Sequence, residues 1–164
     1  MMRARRVAIA WLVAVLGMAG SLAHAAEVGD TIHLPDVKLL DGRTVPASQW
    51  AGKPVVIEFW ASWCPFCALQ NPRLQALYDK TRGTKLQVLT VSIDKQPQDA
   101  VAYLKQRGYT FPAAMDSDAL RRAFGARKGL PELYVLDGKG RVVQKEVGEM
   151  IDDDVAALAR YGKP

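Results

Sequence analysis

Cysteine and histidine are scarce in this chain, whose 164 residues hold two of each. Both cysteines lie in Trp63-Cys64-Pro65-Phe66-Cys67, and beyond the first 25 residues His33 is the only histidine. Tetrahedral zinc, which takes about four ligands, therefore finds no donor set. Copper held by the two thiols as soft ligands would lack a third. No further cysteine exists to act as a separate peroxidatic thiol. Repeats and low-complexity tracts are absent, and no apolar run reaches the roughly 20 residues of a membrane helix. Nor is there a strong excess of charge: 22 basic against 17 acidic residues give +5, which leaves no basic patch of the kind nucleic acid requires. The one local excess, Arg121, Arg122, Arg127 and Lys128, reads as solvated surface near the site, or as a docking patch for an acidic partner.

The N-terminus carries a targeting signal. Arg3, Arg5 and Arg6 precede the apolar run from Val7 to Ala19, and Ala23-His24-Ala25 has the small-x-small form of a cleavage site. Residues 1–25 are expected to be a cleaved secretory signal peptide rather than an uncleaved anchor, because the apolar core is too short to span a bilayer. Removing those three arginines lowers the charge from +5 to +2, and residues 26–164 suffice for one domain with a core. Export implies an oxidising compartment, where exposed cysteine pairs tend to disulfides. A dithiol enzyme working there needs a redox partner.

The two cysteines sit directly after the apolar run Val55-Val56-Ile57-Glu58-Phe59-Trp60, so a strand delivers a Cys-x-x-Cys to the start of a helix. Pro65 suits the first helical position, which makes Cys64 the N-cap and Cys67 the third helical residue. Residues three apart on a helix are within disulfide reach. The attacking species in thiol-disulfide exchange is a thiolate. At the N-cap the Cys64 sulfur can accept from the amides of Phe66 and Cys67 and feels the positive end of the helix dipole. Cys64 is thus the expected exposed nucleophile and Cys67 the buried resolving thiol. A structural staple is the plain alternative, but chain entropy assigns only about 2 kcal/mol to so short a loop.

Along the chain, Thr31–Leu40 and Arg43–Val45 flank the turn Asp41-Gly42 as an N-terminal hairpin. Strands are expected at 55–60, 86–93, 111–115, 133–136 and 141–147, the last two joined by a turn at 137–140. Helices are expected after Cys64, with Leu74, Leu77 and Tyr78 on one face and a kink at Pro72, then at 97–106 closed by Gly108, at 117–124 capped by Ser117 and ended at Gly125, and finally one capped by Asp152. The fold class is α/β: a mixed central sheet flanked by helices, with the site at the carboxyl end of a central strand.

From Gly29 onward these residues resemble the thioredoxin superfamily, and within it the envelope branch of TlpA, ResA and CcmG-like thiol-disulfide oxidoreductases. The resemblance rests on the stretch from Val55 to Cys67, on Pro72, and on Gly129-Leu130-Pro131-Glu132-Leu133-Tyr134-Val135-Leu136-Asp137, which is similar to the family's cis-proline loop and following strand. It implies a thioredoxin-like fold in which 97–115 is a helix-strand insert. It also implies a cis Leu130–Pro131 peptide packed on the cysteines, with the Leu130 backbone pairing with an extended substrate. Trp63, Pro65 and Phe66 complete the expected substrate contacts. Glu58, an acid in an apolar strand, matches the buried aspartate that relays protons to the resolving cysteine. Desolvation should raise its pKa. Thr90 stands where thioredoxins carry a lysine.

Pro65-Phe66 is neither the Gly-Pro of thioredoxin nor the Pro-His of strong oxidants such as DsbA, and DsbA's long helical insert is missing. A moderately reducing pair is expected. The reading is a periplasmic disulfide reductase without cofactor or metal, acting on oxidised envelope proteins, with apocytochrome c as a candidate class. Its membrane reductant would be of DsbD or CcdA type. An envelope oxidase or isomerase using the same residues, and a copper-binding thiol module, are the alternatives.

Overall fold

A computed structural model describes residues 25–163, so all of the expected signal peptide except Ala25 lies outside the described residues. Five strands form one sheet in the order β5-β4-β3-β6-β7: β3 (Val55–Trp60), β4 (Gln87–Ser92), β5 (Ala113–Met115), β6 (Glu132–Leu136) and β7 (Val142–Val147). β3 pairs in parallel with β4, and β4 with β5, while β6 runs antiparallel to both β3 and β7. All six residues of β3 are buried, as a central strand covered on both faces requires.

Side-chain alternation along β3 divides the core. Val56 packs with Leu133 and Val135 of β6 under α2 (Pro65–Thr81) and α5 (Asp152–Ala157). Ile57 and Phe59 point the other way, onto Leu120 and Phe124 of α4 (Asp118–Phe124) and onto the N-terminal segment around Ile32, Val37 and Trp50. A third cluster joins Trp60, Ala61 and both cysteines to Ala100 and Tyr103 of α3 (Pro97–Arg107). The thioredoxin-like α/β architecture expected from the sequence is the one found.

Several boundaries differ from expectation. The N-terminal hairpin is only β1 (Val37–Lys38) against β2 (Thr44–Val45), because Pro35 lacks the amide that a longer ladder would need. Thr31 instead makes a lone bridge to Arg141. A short helix, α1 (Ala47–Trp50), follows. β5 starts at Ala113 rather than Phe111, just past Pro112. Asp152 does not cap the last helix: Ile151 holds the N-cap position without a side-chain bond, and the Asp152 carboxylate pairs with Arg73 of α2, whose charge outcompetes a backbone amide. Ser117 and Gly125 bound α4 as expected. No described helix is long and apolar enough to cross a membrane.

Candidate active site

β3 ends at Trp60, and four residues later Cys64 opens α2 as its N-cap, with Pro65 in the first turn. Cys64 and Cys67 are joined as a disulfide, with Cα atoms 5.3 Å apart. The Cys67 amide donates to the Cys64 sulfur at 3.2 Å. A second donation, from Phe66, was expected and is not among the bonds of the described residues. Cys64 is also less open than expected, at 4% exposure, with Cys67 at 0%. The exposed surface belongs to its neighbours: Trp63 is 67%, Phe66 56% and Leu69 53% exposed. Leu69 escaped the sequence reading, although its place one turn after Phe66 puts it on the same helix face.

The Leu130–Pro131 peptide is cis, and Leu130 packs on the cluster that holds both cysteines. The Pro131 carbonyl accepts from the Gly148 amide at 2.8 Å. Neither the amide nor the carbonyl of Leu130 has a hydrogen-bond partner among the described residues.

Glu58 is fully buried in β3, between Thr90 of β4 and Leu133 of β6. Its Oε2 accepts from Gln70 Nε2 at 2.6 Å, while Oε1 and the Thr90 hydroxyl have no partner among the described residues. Burial pushes the Glu58 pKa up to about 7, and the Gln70 hydrogen bond opposes the shift. Gln70 lies one helical turn beyond Cys67 on the buried face of α2, so the Glu58 carboxyl is bonded to the helix at a residue one turn from the resolving cysteine.

A helix-capping disulfide, a cis-proline loop and a buried acid thus converge at the carboxyl end of β3. Residues 27–161 match the Redoxin family model. The chain belongs to the Redoxin family. Among its relatives, the thiol-disulfide oxidoreductase ResA of Geobacillus thermodenitrificans is 29% identical over 143 residues, covering 85% of this chain and 80% of that protein. A solved structure of a thiol:disulfide interchange protein of DsbE type from Chlorobium tepidum superposes with TM-score 0.71 at 28% identity, covering 84% of this chain and 96% of the other. A second protein from that organism, a thiol:disulfide interchange protein of the thioredoxin family, shares the fold at TM-score 0.73 and 23% identity, covering 85% of this chain and 99% of the other. The chain is a thiol-disulfide oxidoreductase of the TlpA, ResA and CcmG-like branch of the thioredoxin superfamily.

Two polar groups of this Redoxin domain, Asp94 and Glu132, support the site without having been singled out in the sequence. Asp94, just past β4, accepts from the Ser62 amide at 3.2 Å, the Ser62 hydroxyl at 2.9 Å and the Ser92 hydroxyl at 2.7 Å, which fixes the loop between β3 and Cys64. Glu132, next to the cis-proline, is fully buried; it accepts from the Tyr134 hydroxyl at 2.9 Å and the Lys128 amide at 3.3 Å, with Lys145 3.5 Å away. In the basic cluster Arg121, Arg122 and Lys128 are exposed, as the solvated-surface reading expected, and Arg127 is the exception. Its guanidinium lies 3.6 Å from the Phe59 ring centroid and pairs with Asp116 at 3.3 Å, and Lys128 pairs with Glu27 at 2.5 Å. Local sequence carries little sign of these pairings, because partners such as Glu27 and Lys128 are about a hundred positions apart.

Proposed function

We propose that this protein is a periplasmic disulfide reductase. The Cys64 thiolate attacks one sulfur of a substrate disulfide, forming a mixed disulfide and expelling the first substrate thiolate. Cys67 gives its proton to Glu58 and attacks the Cys64 sulfur, which releases the second substrate thiolate and closes the Cys64–Cys67 disulfide. Two electrons pass to the substrate, and its two thiolates take up one proton from Cys67 through Glu58 and one from solvent. Two electrons from an external dithiol then reset the enzyme.

The observation that carries this reading is the Cys64 sulfur at the mouth of α2, accepting the Cys67 amide. Such a position favours the thiolate through both the hydrogen bond and the helix dipole. Beside it, the unpartnered Leu130 backbone leaves an edge on which an extended segment can pair, and Trp63, Pro65 and Phe66 offer apolar contact around the sulfur. The raised pKa of Glu58 near 7 suits a group that must both take and return a proton at neutral pH.

Reduction rather than oxidation is supported by the absence of a histidine in the Pro65-Phe66 dipeptide. Periplasmic location is supported by the export signal at residues 1–25, with cleavage after Ala25. Among the described residues Ala26 is the first in the core, its amide donating to the Phe124 carbonyl at 2.8 Å. Oxidised envelope proteins, including apocytochrome c, are the substrates in this reading, and a membrane thiol donor of DsbD or CcdA type supplies the electrons.

The Cys67→Ser protein should capture disulfide-bearing targets as mixed disulfides through Cys64, seen on non-reducing gels and reversed by dithiothreitol; absence of any adduct sinks the proposal. Trapping thiols with alkylating agents in intact cells should find the wild-type pair mainly reduced. A mainly oxidised steady state would instead favour the oxidase or isomerase direction.

A further inference from the structure

Gln70 bonds at both ends, and the bonds leave its amide one orientation. Its Oε1 accepts from the Met150 backbone amide at 2.6 Å, and its Nε2 donates to Glu58 Oε2 at 2.6 Å. A backbone N–H can only donate, so the atom facing Met150 must be the carbonyl oxygen. The NH2 group must then face Glu58. Opposite an NH2 donor, Glu58 Oε2 can only accept, whether the acid is neutral or ionised. The carbonyl oxygen of a neutral acid is a stronger acceptor than its hydroxyl oxygen, so this bond favours the form with the proton on Oε1.

We propose that Gln70 is a positioning residue for the buried acid: locked by the Met150 amide, it holds Oε2 as an acceptor and favours the exchangeable proton on Oε1, the oxygen without a competing partner. The proposal deepens the relay reading of Glu58 and rests on it for its kinetic consequence.

The lock comes from the loop after β7. Within three residues this loop donates from Gly148 to the Pro131 carbonyl and from Met150 to Gln70, and Arg73 of α2 grips the Met150 carbonyl at 2.7 Å. The same three residues of chain thus tie the cis-proline, the helix and the acid into one frame. No charged group competes for control of Glu58. β4 presents Thr90 and β6 presents Leu133, α2 presents Gln70 and, one turn away, Cys67, and the loop presents Met150. The ion network of Arg73 with Glu149 and Asp152 spends itself at the partly exposed end of that loop. Burial raises the acid's pKa and the Gln70 bond is the one group lowering it, as expected for a donor to the anion.

The test is the titration of Glu58 by carboxyl 13C NMR in protein labelled at glutamate Cδ. It is run on the disulfide form, in which neither cysteine titrates, with the Glu58→Gln spectrum assigning the signal. In Gln70→Met the lost donor should raise the Glu58 midpoint by about one pH unit, since a hydrogen bond to a charged group weighs about that much. Gln70→Glu guards against misfolding of the apolar variant: its carboxylate still accepts from Met150 but places a second acceptor against Oε2. The two acids should then share a proton and titrate in two coupled steps, the upper one above the wild-type midpoint. A Glu58 midpoint that stays at the wild-type value in both variants overturns the proposal, whatever the rates do. The pH profile of mixed-disulfide resolution is the separate arm. If it moves with the carboxyl midpoint, positioning and relay both stand. If the midpoint moves while the rate profile of both Gln70→Met and Glu58→Gln matches wild type, Gln70 still orders the proton, and the relay alone fails.

Discussion

A buried carboxyl with no cation beside it makes Glu58 both chemically useful and energetically costly. Below pH 4.5, its ordinary pKa, folded and unfolded chains both carry the proton; between there and about 7 only the folded chain keeps it; above 7 both are ionised and the folded state bears the whole desolvation penalty. The folded state binds the proton more tightly, so this group makes stability fall as pH rises through that window, by roughly 3 kcal/mol for a shift of this size. Urea denaturation of wild type and Glu58→Gln across pH 4 to 9 should show that decline in the first and not in the second. The same substitution should slow resolution of the mixed disulfide and remove the midpoint from its rate profile, and unchanged kinetics between pH 6 and 9 would remove the relay. An acid embedded in an apolar strand was legible in the sequence, because burial of a strand can be read from its neighbours. Gln70 was not, because an amide in a helix looks like any solvated polar residue until the fold brings a strand and a loop against it.

Among the elements, the ones with strong local signals were the ones the sequence foretold. Pro65 and Cys64 set the start of α2, Ser117 and Gly125 set both ends of α4, and Gly108 closes α3 in the left-handed conformation. Gly140, in the turn between β6 and β7, is held by something farther away. With φ at +79°, it lies against the N-terminal segment, where an added Cβ would come 2.5 Å from the Ile32 carbonyl oxygen. The Ile32 amide donates to the Gly140 carbonyl at 2.8 Å from the other side of the same contact. Gly140→Ala should therefore destabilise by about 2 to 3 kcal/mol, combining a strained φ with a displaced backbone contact. Chemical denaturation measures it directly, and a change below about 0.5 kcal/mol, the range of an ordinary surface substitution, would contradict it. The elements misjudged in the sequence, the long first arm of the N-terminal hairpin and the Asp152 cap, failed where a proline or a distant arginine overrode a local preference.

Taken whole, the molecule joins the segment at Ala26 and Glu27 to a reactive site through its core. Ala26 packs into the core, Lys145 donates to its carbonyl at 2.7 Å, and Glu27 bridges Lys128 and Lys145 beside the loop that leads to the cis-proline. Export with cleavage after Ala25 should yield a protein whose N-terminal sequencing begins at Ala26. A start many residues downstream would remove this anchorage and should destabilise the domain. The sequence alone determined the reactive chemistry and the class of fold. Two cysteines three apart at a strand-to-helix junction, and apolar periodicities of strand and helix, are local properties that need no knowledge of the rest of the chain. Only the tertiary structure decided how little of Cys64 is exposed, which polar groups steady the loops on either side of it, and which group bonds the Glu58 carboxyl. Those depend on hydrogen bonds between groups as far apart as Gln70 and Met150, and a bond of that kind exists only once packing has removed water from between its partners.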